Sequence, residues 1–161
     1  IIGNEIHDIG HQQLFWGYEK AGIKLHGAVD VLIRHNHIYQ TEGGIWLDWM
    51  AQGTRITGNL LHDNQVQDLS LEVNHGPVII DNNIFLSGQQ AQIRLSQGTA
   101  FIHNLISWAL WPTANIDQRE TPFLKPHSTT ISGLHNNPSG DARFDNNIFI
   151  GKADLSPFDS A

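Results

Sequence analysis

The amino-acid sequence predicts an all-β protein, a parallel β-helix of about six coils. Three observations predict this fold: an asparagine motif recurs along the chain, a second apolar motif recurs between its copies, and both alternate apolar and polar residues in short runs. A repeat of about 20 to 24 residues without helical spacing is typical of a solenoid, in which every coil packs against its neighbours.

The asparagine motif has the form apolar-x-x-Asn-x-apolar. Its six copies are centred on Asn4, Asn36, Asn59, Asn83, Asn104 and Asn147. They are separated by 32, 23, 24, 21 and 43 residues, and the last separation is close to two periods. An asparagine at the same bend of every coil can exchange hydrogen bonds with the coils above and below, so we expect an internal, structural ladder.

The second motif alternates around two apolar residues, as in GIKLH (22–26), GIWLD (44–48), DLSLE (68–72) and QIRLS (92–96). We expect the two apolar residues of each copy to stack inside the β-helix in two columns. The first column is Ile23, Ile45, Leu69 and Ile93, and the second is Leu25, Leu47, Leu71 and Leu95. The residues between and after them then form two outward ladders: Lys24, Trp46, Ser70, Arg94 and His26, Asp48, Glu72, Ser96.

The repeats run through the whole chain, so we expect one partial β-helix domain over residues 1–161. Two segments, near residues 8–21 and 107–130, are too long for a coil and are expected to leave it as loops. Their aromatic residues either wall a pocket or anchor the loops, and they are Phe15, Trp16, Tyr18, Trp108 and Trp111. The chain begins without Met inside a repeat and shows no capping helix, so we expect a piece of a longer protein.

Composition excludes several classes of function. Lys plus Arg is 9 and Asp plus Glu is 16, and the net charge of −7 argues against nucleic acid or an anionic membrane as a partner. Cysteine is absent, which excludes disulfides and thiolate chemistry, and no apolar run is long enough to cross a bilayer. No signal peptide is visible, which favours the cytoplasm but leaves the compartment undecided, and a homo-oligomer is possible.

Two carboxylates, Asp48 and Glu72, fall at the same phase of successive repeats. Neighbouring strands lie about 4.8 Å apart, close to the 5 to 5.5 Å that separates the carboxyls of a retaining glycosidase. Two acids this close cannot easily both be charged, so one can stay protonated as the acid. Trp46 beside them offers an apolar face to a sugar ring. The hypothesis requires both carboxylates to be exposed and to lie within about 10 Å of each other.

Three alternatives remain open. The two acids could be solvated and paired with Lys24 or Arg94, and the protein could then be a carbohydrate-binding or purely structural solenoid. A polysaccharide lyase on the same fold would use calcium with a Lys or Arg base, again Lys24 or Arg94.

The ten histidines follow no zinc-binding motif, and those near the asparagine bends suit turn hydrogen bonding, so we expect no metal ion and no other cofactor.

The stretches GIWLDWMAQGTRITGNLLHDN (44–64) and DLSLEVNHGPVIIDNNIFLS (68–87) resemble the catalytic region of glycoside hydrolase family 120, with similarity from about Glu19 to Ser87. The resemblance implies a right-handed, pectate-lyase-like β-helix joined to a β-sandwich that this chain lacks. It also implies a β-xylosidase that releases xylose from xylo-oligosaccharides during xylan degradation.

By the same resemblance, Asp48 is the nucleophile, Glu72 is the general acid/base, and Glu19 in GYEKAGI binds sugar hydroxyls. The ladders and the resemblance together place the expected contacts with an oligosaccharide substrate at Glu19, His26, Trp46, Trp49, Asn74, His75 and Arg94.

Overall fold

The structure is a computed structural model that describes residues 1–10, 17–88, 91–107, 110–113, 120–137, 139–151 and 155–156. Phe15, Trp16 and Trp108, which the sequence analysis assigned to loops, lie outside these residues. Within the described part, no helix is long and apolar enough to cross a membrane.

The described strands follow one another three to a coil. The first two coils contain β1 (Glu5–His7), β2 (Ile23–His26), β3 (Leu32–Arg34), β4 (His37–Tyr39), β5 (Gly43–Asp48) and β6 (Thr54–Thr57). The next two contain β7 (Leu60–His62), β8 (Gln67–Glu72), β9 (Val78–Asp81), β10 (Ile84–Phe85), β11 (Ala91–Arg94) and β12 (Gln97–Ile102). The remaining strands are β13 (Leu105–Ile106), β14 (Leu110–Thr113), β15 (Glu120–Leu124), β16 (Ile131–Asn136), β17 (Gly140–Asp145) and β18 (Ile148–Phe149).

Equivalent strands of successive coils pair in parallel and form three sheets. The first sheet has the order β1-β4-β7-β10-β13-β18, the second β2-β5-β8-β11-β14, and the third β3-β6-β9-β12-β17. The predicted parallel β-helix is therefore confirmed. Within the described residues it has five complete coils and the first strand of another, slightly fewer than the six expected.

The core consists of the inward side chains of the three sheets. Period-two alternation places Ile45 and Leu47 of β5 inside at 0% exposure, and Leu69 and Leu71 of β8 lie beside them in register. Gly44 lets β5 approach β8 closely, because a Cβ at this position would collide with the carbonyl oxygen of Asp68. The two strands that carry the predicted carboxylates thus pack closely against each other.

The asparagine ladder has the predicted form. Each Nδ2 donates to the Oδ1 of the next asparagine, at 2.9 Å from Asn36 to Asn59 and 2.9 Å from Asn59 to Asn83. Further along, Asn83 donates to Asn104 at 3.1 Å and Asn104 donates to Asn147 at 2.9 Å. The four middle asparagines are at most 2% exposed, which makes the ladder a structural element.

One predicted alignment is wrong by two residues. Ile93 pairs with Leu71, and Arg94 pairs with Glu72, so Gln92 rather than Arg94 lies beside Ser70. Leu95 instead occupies the corner, with a φ of 46°, as Trp49 (36°) and Val73 (54°) do after the preceding strands. A shift of two residues keeps every side chain on its own face, so the alternation of apolar residues cannot detect it.

After β14 the chain leaves the coil and forms an antiparallel hairpin of β15 and β16. The hairpin is held to the coils by the Gln52 side chain, which bonds the Leu124 backbone nitrogen and oxygen at 3.1 and 2.9 Å. It is also held by His75, the third residue after Glu72. The hairpin therefore packs next to the end of β8.

Candidate active site

Asp48 and Glu72 are the last residues of β5 and β8, and their Cα atoms are direct partners in the parallel ladder. The residue before each carboxylate, Leu47 or Leu71, is fully buried in the core. Because successive side chains point to opposite faces, both carboxylates leave the sheet on its outer side. The strand spacing of about 4.8 Å brings the two acids together as the sequence predicts.

Asp48 is covered by two basic side chains. Lys24 Nζ donates to Asp48 Oδ2 at 2.7 Å, and His26 Nε2 lies 3.0 Å from the same oxygen. The residue is only 3% exposed, so the expectation that both carboxylates are solvent-exposed is wrong for Asp48. Asp48 nevertheless lies on the wall of a cavity, so the requirement of solvent exposure was stricter than contact with a substrate demands. Its second oxygen, Oδ1, is buried without a hydrogen-bond partner among the described residues. Asp48 is therefore a buried carboxylate whose charge is balanced by a single ammonium group at one oxygen.

Lys24 connects three predicted site residues. Besides Asp48, its ammonium binds Glu19 Oε2, and it lies 3.2 Å from the centroid of the Trp46 ring. The hydrogen bond from Lys24 lowers the pKa of the Glu19 carboxyl below its usual value. The side chain of Lys24 is 13% exposed and that of Glu19 is 69% exposed, so the pair extends from the interior of the site to its surface.

Glu72 has different surroundings. Arg94 Nη1 lies 3.1 Å from Glu72 Oε1, and the Glu72 side chain is 15% exposed. Burial raises the pKa of the Glu72 carboxyl, the negative charge of Asp48 raises it further, and the Arg94 and Lys24 cations lower it in part. A carboxyl with a raised pKa remains protonated at higher pH than usual, which is a property of a general acid.

These residues line a cavity of about 570 Å³. Six predicted site residues lie on its wall: Glu19, Trp46, Asp48, Trp49, Glu72 and Arg94. A seventh, His26, contacts Asp48 from the neighbouring strand. Tyr18 of the first excursion also lines the cavity, next to Glu19. The volume is sufficient for a small sugar, since ligand sites commonly measure about 300 to 1,000 Å³.

Two predicted substrate contacts are not supported. Asn74 is 0% exposed, its Oδ1 accepts from the Ala51 nitrogen at 2.9 Å, and its Nδ2 donates to the Leu47 carbonyl at 3.0 Å. The prediction for Asn74 is therefore wrong, because its amide is used to hold the coils together. Proximity to Glu72 in the sequence was a poor guide, since the chain turns at Val73 and the following side chains no longer point to the cavity.

His75 faces the hairpin. Its Nε2 lies 2.6 Å from Thr121 Oγ1 and its Nδ1 lies 2.9 Å from His135 Nε2, so both ring nitrogens are engaged. Burial and the neighbouring His135 lower the pKa of His75 below 6.5. The predicted substrate contact is replaced by an anchor for the β15–β16 hairpin.

Lys24 and Gln92 belong to the site but were not among the site residues predicted from the sequence. The outward ladder contained a signal for Lys24, which precedes Trp46 by one coil in the same column. Gln92 lines the cavity because it pairs with Ser70, and only the correct alignment of β11 shows this.

Three possible metal ligands also converge here. Among the described residues, Glu19, His26 and Asp48 have ligand atoms within 4.8 Å of one another. The Lys24 ammonium already binds both of these carboxylates. The Lys24 ammonium thus supplies the positive charge that these three ligands would otherwise attract as a metal ion.

Comparison with known proteins gives two similarities. A family model described as right handed beta helix region matches residues 1–106. The complex structure of XylC with xylose superposes with a TM-score of 0.84 at 40% identity, covering 92% of this chain and 25% of that one. The chain thus spans about a quarter of the length of XylC. No curated protein matches the chain.

Proposed function

The chain belongs to the right-handed β-helix family, and on that scaffold we propose that it carries the catalytic pair of a retaining glycoside hydrolase that acts on β-xylosides. The observation that carries the proposal is the in-register pair of Asp48 and Glu72 on the wall of one cavity. Their different surroundings suit different roles, because one carboxyl is paired with an ammonium group and the other has a raised pKa.

Asp48 acts as the nucleophile. Its carboxylate attacks the anomeric carbon from the cavity side as the bond from that carbon to the leaving oxygen breaks, and a covalent glycosyl-enzyme forms. Lys24 and His26 hold Oδ2 and fix the orientation of the carboxylate before substrate arrives.

Glu72 acts first as acid and then as base. It donates its proton to the leaving oxygen in the first step, and its pKa above the usual carboxyl range keeps this proton available. In the second step the Glu72 carboxylate takes a proton from water, the water oxygen attacks the anomeric carbon, and Asp48 is released. The configuration at this carbon is inverted twice and so retained overall.

The substrate class is supported by two similarities. The described coils are 40% identical to a chain whose structure contains xylose, and residues 44–64 and 68–87 resemble glycoside hydrolase family 120. We therefore propose a β-xylosidase that releases xylose from xylo-oligosaccharides without a cofactor. Glu19, His26 and Arg94 bind the sugar hydroxyls, and Trp46 and Trp49 pack against its apolar face.

Hydrolysis of an aryl β-xyloside tests this function, measured on the protein that contains this chain at its natural length. We expect release of the aryl group in the wild type and loss of activity in Asp48→Ala. The control is Asp145→Ala, which removes an exposed carboxylate from the third sheet and should leave activity intact.

Two other outcomes would contradict the proposal. An unsaturated, calcium-dependent product from an acidic polysaccharide would indicate a lyase with Lys24 or Arg94 as base. Binding of xylo-oligosaccharides by the wild type without turnover would indicate a carbohydrate-binding solenoid.

A further inference from the structure

A second group of titratable side chains lies on the outer face of the first sheet, away from the cavity. Ile38 of β4 and Leu61 of β7 are fully buried, so the residues that flank them point outward. Tyr39 pairs directly with His62, and His37 is therefore the diagonal neighbour of His62 across two coils. Diagonal side chains about 7 to 8 Å apart at Cα can meet when they are long or aromatic.

His37 and His62 do meet. Their Nε2 atoms are 2.7 Å apart, with side chains 41% and 28% exposed. The His62 ring stacks on Tyr39 at 5.2 Å with an interplanar angle of 6°, and the His37 ring lies 4.6 Å from Tyr39 at 33°. Both rings are thus held in place by the same tyrosine, with their Nε2 atoms converging.

A carboxylate stands behind each histidine. His62 Nδ1 lies 2.7 Å from Asp63 Oδ2, and His37 Nδ1 lies 4.0 Å from Glu5 Oε1. Asp63 can only accept, which assigns the proton of His62 to Nδ1 and leaves a lone pair on its Nε2. The short contact between the two Nε2 atoms then contains one proton, carried by His37. Metal-binding histidines characteristically have such a carboxylate or carbonyl at the second ring nitrogen.

We propose that His37 and His62 form a binding site for a divalent transition metal ion of the zinc class. The ion takes the place of the proton between the two Nε2 atoms, and that proton moves to Nδ1 of His37, where it faces Glu5. Two nitrogens at about 2.1 Å from one ion lie about 3.0 to 3.4 Å apart, so the rings need to separate by only a few tenths of an ångström. Water completes the coordination.

The donor atoms determine the class of ion. Imidazole nitrogens select zinc, copper or nickel, whereas calcium and magnesium require oxygen ligands. The net charge of −7 and the carboxylates of Glu5 and Asp63 favour a cation at this face. A metal site at this place was not predicted from the sequence, because the two histidines are 25 positions apart and form no local motif. The site is independent of the proposed activity.

Titration calorimetry of the chelator-treated, natural-length protein with zinc chloride alone tests the proposal. We expect a zinc-binding event with a dissociation constant in the micromolar range, weakened at least tenfold in His37→Asn and in His62→Asn. Asp63→Asn keeps both ligands and should weaken binding by about tenfold, because it removes the carboxylate that holds His62 Nδ1. Zinc should raise the melting temperature of the wild type but not of His62→Asn.

Two control variants locate the event. His103→Asn removes a histidine whose Nε2 contacts Asn146 of the next coil, away from His37 and His62, and His26→Asn removes the histidine of the cavity group. Both should retain the micromolar event. The proposal is overturned if the wild type binds no zinc at millimolar concentration. It is equally overturned if His37→Asn and His62→Asn bind as tightly as the wild type, or if His26→Asn alone abolishes binding.

Discussion

Asp48 and Glu72 are direct partners on neighbouring strands, yet each is paired with a different cation. Lys24 lies 2.7 Å from Asp48 and Arg94 lies 3.1 Å from Glu72. Lys24 lies diagonal to Asp48 on the preceding coil, and Arg94 lies directly beside Glu72 on the following coil, so the two acids are flanked by one cation on each side. The two adjacent acids therefore have separate electrostatic environments.

Lys24→Met should destabilise the fold, because it leaves the buried Asp48 carboxylate without its balancing charge. We expect the free energy of unfolding to fall by about 3 kcal/mol, measured by urea denaturation. Lys24→Met combined with Asp48→Asn should recover part of this loss. Lys125→Met, which removes an exposed lysine, should change stability by less than about 0.5 kcal/mol. Equal stability of Lys24→Met and the wild type would show that Lys24 is not the group that stabilises the Asp48 carboxylate.

Arg94→Gln should move the alkaline limb of the dependence of kcat/KM on pH to higher pH. Arg94 lowers the pKa of Glu72, so without this cation Glu72 keeps its proton to higher pH and remains competent as an acid. Arg55→Gln is the matched control, since Arg55 pairs with Asp81 on the third sheet. A shift of the limb to lower pH in Arg94→Gln would contradict the acid role of Glu72.

The hairpin of β15 and β16 should loosen in acid. The pKa of His75 is lowered by burial and by His135, so His75 binds a proton more readily when the hairpin is undocked than when it is docked. The contribution of His75 is therefore complete above a pH of about 6.5 and is lost as the pH falls below it. Amide hydrogen exchange of residues 120–124 and 131–136, corrected for intrinsic rates, should report this loss.

In His75→Gln the acid-dependent loosening should largely disappear, whereas His103→Gln should retain it. Stronger protection of the hairpin amides at low pH in the wild type would refute the anchoring role of His75.

Asn83→Ala should cost about 3 kcal/mol or more in the free energy of unfolding. Asn83 Oδ1 accepts from both the backbone and the side chain of Asn59, and its Nδ2 donates to Ile56 and Asn104. Its removal leaves several buried polar groups unpaired, each costing about 1 to 3 kcal/mol. Asn4→Ala, at the exposed end of the ladder, should cost less than about 1 kcal/mol. Similar costs for the two variants in urea denaturation would argue against a cooperative ladder.

The parts of the fold that repeat could be predicted from the sequence. Alternation placed Leu47 and Leu71 inside and Asp48 and Glu72 outside, and the spacing of the asparagines predicted the ladder. The alignment of β11 could not be obtained from alternation, because a shift of two residues preserves both faces. The spacing did contain the answer: Ile93 precedes Asn104 by 11 residues, as Leu25 precedes Asn36, whereas Leu95 precedes Asn104 by 9.

Contacts that depend on side chains from distant segments could not be predicted. The burial of Asp48 results from the placement of Lys24 and His26 over its carboxylate. The alternation of residues in a strand does not predict how neighbouring side chains cover one another. The contact between His75 and the hairpin joins residues 46 and 60 positions apart in the chain. Asn74 was misassigned for a related reason, since the corner at Val73 turns the chain away from the cavity.

The most direct test of the proposed catalytic pair is azide rescue of Asp48→Gly with an aryl β-xyloside as substrate. If Asp48 is the nucleophile, azide takes its place and attacks the anomeric carbon on the face opposite the leaving group, so the recovered product is the α-xylosyl azide. Glu72→Gly should instead give the β-xylosyl azide. Recovery of the β product from Asp48→Gly would contradict the assignment and give Asp48 the acid/base role.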